Sequence, residues 1–184
     1  MTRQDAERNR EAVIEAALGL LSSGGSASML DIARASGVGR TTVYRHFPTR
    51  EHLLAALQGV AVEHARREAT AVFAREASFE ETMHELSSAM VGTGARYRFM
   101  LSSETVVSDE LAAARRSPES PIRAYFRACQ QRGEIREDLP LDWIMSAFQS
   151  LSLVAMQDHE DGRRDKETAT RCLAESLIGM LRAA

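Results

Sequence analysis

Apolar residues recur at helical spacing along almost the whole chain, and this periodicity constrains the fold more than any other feature. Near the N-terminus these residues would form one apolar stripe along a helix, which consists of Val13, Ile14, Ala17, Leu18 and Leu21. Ala, Leu, Arg and Glu are abundant, whereas Val, Ile and aromatic residues are sparse. Because that balance favours helices over sheets, we predict an all-α fold.

Helix-starting and helix-ending residues place the individual elements. Ser28 with Asp31 and Ser78 with Glu81 have the spacing of capping boxes, and the four prolines stand where a helix can begin or end. We expect helices over about 5–21, 28–36, 40–46, 78–91, 109–116, 121–132, 140–157 and 165–181, and a long one that begins at 49 and extends past 75.

Charge and composition exclude several classes of protein. The net charge is −3, so any basic surface for a polyanion must be local. The N-terminus lacks the apolar core of a signal peptide, and no run approaches the ~18 apolar residues of a membrane span. Cys129 and Cys172 lie far apart without CxxC spacing, which favours reduced thiols over a disulfide or a zinc pair. These features predict a cytoplasmic protein that does not interact with membranes.

Residues with the spacing of a catalytic or cofactor site are missing from the sequence. The five histidines are dispersed and form no HExxH motif, although His64 and His84 lie on neighbouring predicted helices. The glycines match neither the GxGxxG nor the Walker pattern. We therefore predict a protein that is not an enzyme and has neither a metal nor another cofactor.

The first part of the chain has the organisation of a helix-turn-helix. Three helices are joined by short links, and a tight turn at Gly37-Val38-Gly39 separates the second from the third. On the third helix Arg40, Thr41, Tyr44 and Arg45 fall within an arc of about 140°, with Val43 and Phe47 outside it. One side can therefore anchor the helix while the other presents guanidinium and hydroxyl groups. Arg can bond guanine, Thr can contact a thymine methyl group, and Tyr suits a phosphate.

The local charge also favours DNA as the partner. No acidic residue lies between Asp31 and Glu51, whereas this stretch and its edge contain Arg34, Arg40, Arg45 and Arg50. DNA affinity depends heavily on neutralising phosphates. Arg50 and Ser28 stand at helix N-termini, where a phosphate can be held. The alternative is a helical protein-interaction module whose arginines are merely solvated.

The segment 8–57 closely resembles the DNA-binding domain of TetR family regulators. The matching pieces are AVIEAA at 12–17, IARASGV at 32–38, TVYRHF at 42–47 and REHLL at 50–54. The resemblance implies that the third helix enters the major groove of double-stranded DNA. One departure is Gly39, which stands where a small hydroxyl residue commonly caps this helix.

Site residues follow from the resemblance position by position. It places Arg40, Thr41 and Thr42 nearest the bases, and it assigns Arg45 to either a base or a phosphate. The residues that it implies for backbone phosphates are Tyr44, His46 and Arg50, with Ser28 assisting.

The resemblance also implies the division of the chain, with a DNA-binding domain at 1–55 and a helical effector-binding and dimerisation domain at 56–184. The helices at 141–157 and 165–181 have long apolar stripes that can form a four-helix bundle in a homodimer, or can close the monomer's own core. A two-fold dimer sets its recognition helices about 34 Å apart, which predicts an inverted-repeat operator. The expected function is a repressor that an unknown small-molecule effector releases; activation is left open.

Methionines and aromatic residues in the second domain are candidates for an adaptable apolar effector pocket. The alternative for each of them is an ordinary core position. The candidates are Met83, Leu86, Met90, Tyr97, Phe99, Met100, Tyr125, Phe126 and Trp143.

Overall fold

A computed structural model describes residues 2–22, 27–75, 77–94, 96–97 and 120–182. It confirms the predicted all-α fold. Within these residues the regular elements are helices, and a single isolated bridge pairs Ile135 with Arg182. The helices are α1 (Arg3–Ser22), α2 (Met29–Ser36), α3 (Arg40–His46), α4 (Arg50–Phe73), α5 (Phe79–Thr93), α6 (Pro121–Gln131), α7 (Leu141–Glu160) and α8 (Lys166–Leu181).

The chain divides into two compact units, and the division falls inside α4. One unit comprises Met1–Ala61 and Ala95–Leu111, and the other comprises Val62–Gly94 and Ala112–Ala184. The helix predicted near 109–116 lies outside the described residues. The helix α4 ends at Phe73, so the predicted extension past Arg75 is wrong.

The first unit is built on the apolar stripe of α1. The residues predicted to form this stripe, Val13, Ile14, Ala17, Leu18 and Leu21, are all buried. They share a core with Ile32 of α2, Val43 of α3 and Leu53 and Leu57 of α4. Burial of one such large side chain is worth about 1.5–3 kcal/mol, so this core holds the two short helices in place.

The second unit packs α5 against α7 and α8, with α6 alongside α7. Its core includes Leu86 of α5, Phe126 of α6, Ile144 of α7 and Leu177 of α8, each with no exposed side-chain surface. The amide of Arg136 donates to the carbonyl of Leu181 at 2.9 Å, which ties the segment after α6 to the end of α8.

Both predicted capping boxes form. Oγ of Ser28 accepts the amide of Asp31 at 3.2 Å, and Oγ of Ser78 accepts the amide of Glu81 at 3.2 Å. In each box the carboxylate accepts a hydrogen bond from the backbone amide of its serine in return. Two backbone N–H groups at the start of α2 and two at the start of α5 therefore have acceptors.

No described helix combines the length and the apolar character that a membrane span requires.

Candidate nucleic-acid interface

The two faces of α3 differ in burial as the sequence predicts. Val43 is fully buried, and Phe47, just past the end of the helix, is almost as deeply buried. Arg40, Thr41, Tyr44 and Arg45 are exposed. The inner side therefore fixes the helix to its unit, while the outer side offers cationic and hydroxyl groups to a partner.

Arg40 and Tyr44 lie next to each other on this outer face. The guanidinium carbon of Arg40 is 5.5 Å from the centre of the Tyr44 ring, which is a cation–π contact between residues one turn apart. The contact orders two long side chains before any partner arrives, and it reduces the entropy that binding would cost.

The turn before α3 is made by a glycine in the left-handed conformation. Gly37 has φ 67°, a region that residues with a Cβ rarely adopt. Gly39 then precedes α3, and its carbonyl accepts the amides of Thr42 and Val43 at 2.8 and 3.1 Å. As the sequence indicates, Gly39 supplies no side-chain cap.

Residues at the edges of the surface are already engaged in hydrogen bonds. Both the amide and the hydroxyl of Ser28 donate to Oδ2 of Asp31, at 3.0 and 2.6 Å. Nη1 of Arg50 donates to the carbonyl of Ala27, which joins the start of α4 to the chain just before α2. A phosphate at Ser28 would have to displace Asp31, whereas Arg50 keeps further donors on its guanidinium group.

Two residues on α3 are less accessible than the outer face. Thr42 is half-buried. His46 is also half-buried, and its Nε2 atom has neither solvent contact nor a hydrogen-bond partner among the described residues. In this conformation a phosphate can reach only the other ring nitrogen of His46.

Acidic groups bound the basic stretch at both ends. Hydrogen bonds from the Ser28 side chain and backbone lower the pKa of Asp31, and Arg34 lies 3.9 Å from its carboxylate. A side-chain hydrogen bond from Thr49 lowers the pKa of Glu51. Both carboxylates are therefore ionised at neutral pH, and they limit the positive surface to α3 and its immediate flanks.

Arg10 also supports this surface, and the sequence analysis did not single it out. Its guanidinium carbon lies 5.8 Å from the centre of the Phe47 ring, so α1 contacts the residue that follows α3. Helical spacing assigns Arg10 to a side of α1 but cannot show which element lies beside it.

The candidate pocket residues that the structure describes do not all belong to one core. Met83, Leu86, Met90 and Phe126 belong to the core of the second unit. Tyr97 lies in the core of the first unit, and Trp143 is 61% exposed. Phe99 and Met100 lie outside the described residues.

Tyr125 is half-buried at the edge of the second core. Its ring stacks on Phe73 with centroids 4.3 Å apart and planes 3° from parallel. Desolvation raises the pKa of Tyr125 to about 12, so the phenol stays protonated and can donate a hydrogen bond.

Comparison with known proteins gives a family match for the segment that contains α3. Residues 13–57, which contain α2, α3 and most of the first core, match the sequence profile of bacterial regulatory proteins of the tetR family. This match confirms the resemblance to TetR family regulators that the sequence analysis recognised in the same segment.

Similarity to individual tetR proteins extends well beyond the matched segment. The HTH-type transcriptional repressor LfrR of Mycolicibacterium smegmatis is 28% identical over 162 residues, which cover 85% of this chain and 82% of LfrR. A crystal structure of LfrR with proflavine superposes with a TM-score of 0.73 at 22% identity, covering 96% of this chain and 99% of LfrR. A structure described as a putative TetR-family regulator from Rhodococcus sp. gives a TM-score of 0.77 at 18% identity, covering 95% of this chain and 99% of that one. At these identities the two structures establish the shared fold.

Proposed function

We propose that this protein is a ligand-responsive transcriptional repressor of the TetR type that binds an inverted-repeat operator as a homodimer. The observation that carries the proposal is the outer face of α3, where Arg40, Thr41, Tyr44 and Arg45 are exposed opposite the buried Val43. DNA binding is assigned to residues 1–55, and effector binding and dimerisation to residues 56–184.

In this proposal α3 lies in the major groove. Arg40, Thr41 and Thr42 are nearest the base edges, and Arg45 contacts either a base or a phosphate. Phosphate contacts come from Tyr44, His46 and Arg50, and these contacts set the register on the duplex without reading sequence. Ser28 assists only if Asp31 gives up its two hydrogen bonds.

Exposed faces of α7 and α8 support dimerisation. Trp143 and Val154 on α7 are 61% and 56% exposed, and their spacing of about three helical turns puts them on one side. On α8 the exposed face contains the small residues Cys172, Ser176 and Gly179, beside which a second helix could pack closely. We propose that two copies of α7 and α8 form a four-helix bundle through these faces.

The effector is assigned to the second unit. The LfrR structure holds proflavine, and by analogy we propose a small-molecule effector for this chain. The side chains of Met83, Met90 and Tyr125 favour an apolar molecule bound near them. The phenol of Tyr125 is the polar group that would orient it. Release from DNA requires the effector to favour the non-binding arrangement; a hundredfold shift corresponds to about 2.7 kcal/mol of coupling.

Selection from random DNA followed by binding measurements tests the DNA-binding proposal. Fragments recovered by the protein should contain an inverted repeat with half-sites about one helical turn apart. Arg40→Ala and Tyr44→Ala should each weaken binding to that fragment about tenfold or more, and raising the salt concentration should weaken wild-type binding steeply.

Arg127→Ala is the matched control, because Arg127 is an exposed arginine on α6 in the second unit. It should leave DNA affinity unchanged. If the wild-type protein binds no selected fragment at low salt, the DNA-binding proposal is wrong and a helical protein-interaction module is favoured. An asymmetric recovered motif would contradict the two-fold dimer.

A further inference from the structure

A cleft of about 500 Å³, lined by residues with polar side chains, lies on the second unit between α5 and α8 and does not include the candidates for the apolar pocket. Its lining consists of His84 and Ser88 from α5 and of Lys166, Glu167, Thr170 and Arg171 from α8. None of the residues predicted for the effector pocket belongs to this lining. The cleft volume is in the range of small-molecule sites, but the side chains around it are hydrogen-bonding and charged.

We propose that this cleft binds a small organic or inorganic oxyanion, carrying phosphate or carboxylate groups, at a site separate from the apolar effector. The lining contains two basic side chains, Lys166 and Arg171, and one acidic side chain, Glu167. Neither basic side chain forms a salt bridge with an acidic one within the described parts of the chain, although the charge of Arg171 adds to the hydrogen bonds from Thr168 that lower the pKa of Asp165. Two basic side chains on one cleft can bind an anion together.

Gly92 leaves space on α5 for the end of the Lys166 side chain. A methyl group added at Gly92 would lie 3.1 Å from Nζ of Lys166 and 3.5 Å from its Cε. The ammonium group therefore lies over Gly92, in space that any larger residue would compete for. The side chain of Lys166 thus extends from α8 to α5.

An unsatisfied hydroxyl in the lining supports the same assignment. Oγ1 of Thr170 has no solvent contact and no hydrogen-bond partner among the described residues. A buried hydroxyl normally has a partner, and a rotation of the Thr170 side chain toward the cleft would let an oxyanion provide the acceptor. The start of α8 is not itself the site, because Oδ1 of Asp165 already accepts the amide of Thr168 at 2.7 Å.

His84 completes the donor set on the α5 side. Its Nε2 atom lies 3.5 Å from Oε1 of Glu175, so one ring nitrogen is directed to that carboxylate. An anion would compete with Glu175 for the imidazole, while Ser88, one turn further along α5, offers a hydroxyl. Lys166 and Arg171 therefore supply the principal charge, and His84 and Ser88 add hydrogen-bonding groups from α5.

Isothermal titration calorimetry of the full-length protein without DNA tests this site. Inorganic pyrophosphate and citrate serve as the phosphate and carboxylate probes, each at the same ionic strength set with sodium chloride. We expect saturable binding of at least one probe, with one site per chain attributable to the cleft. Lys166→Gln and Arg171→Gln should each weaken that binding about tenfold or more.

Gly92→Ala is the second variant. It should weaken binding by pushing the Lys166 ammonium aside, while thermal stability stays the same or rises because Ala favours a helix over Gly. Two controls remove an arginine elsewhere: Arg127→Gln on α6 and Arg40→Gln on the nucleic-acid face. Both should leave the affinity unchanged.

Absence of saturable binding with both probes would overturn the proposal. So would a loss of probe affinity in Arg40→Gln or Arg127→Gln as large as the loss in the Lys166 and Arg171 variants. Since the titration contains no DNA, a protein that failed to bind any operator could still bind pyrophosphate here. The two proposals can thus fail independently.

Discussion

Asp31 performs two tasks at the edge of the nucleic-acid surface. Its carboxylate accepts both donors of Ser28 and so closes the first turn of α2. Its negative charge also limits the basic stretch that begins with Arg34. The residue thus stabilises the helix-turn-helix while adding charge that opposes a phosphate nearby.

The lowered pKa of Asp31 makes its contribution to stability depend on pH. Because hydrogen bonds from Ser28 favour the ionised form in the folded protein, this contribution is present above the ordinary carboxyl pKa and is lost as pH falls through the lowered value. Asp31→Asn keeps an acceptor but cannot titrate. Urea unfolding of both proteins should show a difference in unfolding free energy that is constant near neutral pH and shrinks below about pH 4. A difference that stays constant throughout would contradict this assignment.

At the scale of single residues, the sequence predicts which side chains lie on the nucleic-acid surface but not which of their atoms are available. Exposure of Arg40 and Tyr44 follows from helical spacing, since Val43 has to face the core. The buried Nε2 of His46 and the bond from Arg50 to Ala27 depend on neighbours that are distant in sequence or on a rotamer. Spacing within one helix contains no information about either.

At the scale of elements, α3 is bordered by two glycines that differ in conformation. Gly37 has φ 67°, whereas Gly39 has φ −56°, which any residue can adopt. A Cβ at either position would meet no atom within 4 Å, so only the backbone conformation distinguishes them.

Gly39→Ser should stabilise the protein. The serine hydroxyl can cap α3, and the unfolded chain loses freedom, so a gain of about 0.5–1 kcal/mol is expected. Gly37→Ser, two residues away, should destabilise by about 1 kcal/mol because it forces a side chain into the left-handed region. Thermal unfolding of the three proteins measures both effects. Shifts of the same sign for the two substitutions would show that this turn is not as described.

Helix positions were largely predictable, because apolar spacing and capping boxes are local signals. The start of α2 behind Ser28 and the extent of α3 needed nothing beyond the sequence. Which of the pocket candidates lie together could not be predicted from the sequence. Tyr97 and Trp143 are apolar residues in helical patterns, yet one lies in the first core and the other lies on the surface. A pattern shows that a residue is apolar and periodic, but tertiary packing decides what covers it.

At the scale of the whole molecule, Gly179 offers a clean test of the proposed dimer. It lies on the exposed face of α8, and a Cβ there would meet nothing within 4 Å of the same chain. Gly179→Arg should therefore fold normally and yet disrupt a bundle of two α8 helices. Sedimentation equilibrium should show a dimer for the wild type and a monomer for the variant.

Gly59→Arg on α4 is the matched control, because that glycine is also helical, exposed and surrounded by open space. The Gly59→Arg protein should remain a dimer. A Gly179→Arg protein that is as dimeric as the wild type would exclude this face of α8 from the interface.

Tyr97 tests the division into two units. It lies after α5 in the chain but is 4% exposed in the core of the first unit, and the adjacent Arg96 donates to Oε1 of Glu15 at 3.0 Å. Tyr97→Ala should cost about 3 kcal/mol and accelerate amide hydrogen exchange in α1 more than in α8. Phe126→Ala, in the core of the second unit, should give the reverse pattern. Equal acceleration everywhere in both variants would mean that the units unfold as one.

The bond from Arg50 to the carbonyl of Ala27 has a consequence for how DNA preference can change. It joins the two ends of the stretch that contains α2 and α3, and the burial of Val43 fixes α3 to the core within that stretch. A large rotation of α3 on a different duplex would have to break this bond and expose Val43. New sequence preferences would then evolve by exchanging the outward side chains of α3, while the backbone beneath them stays in place.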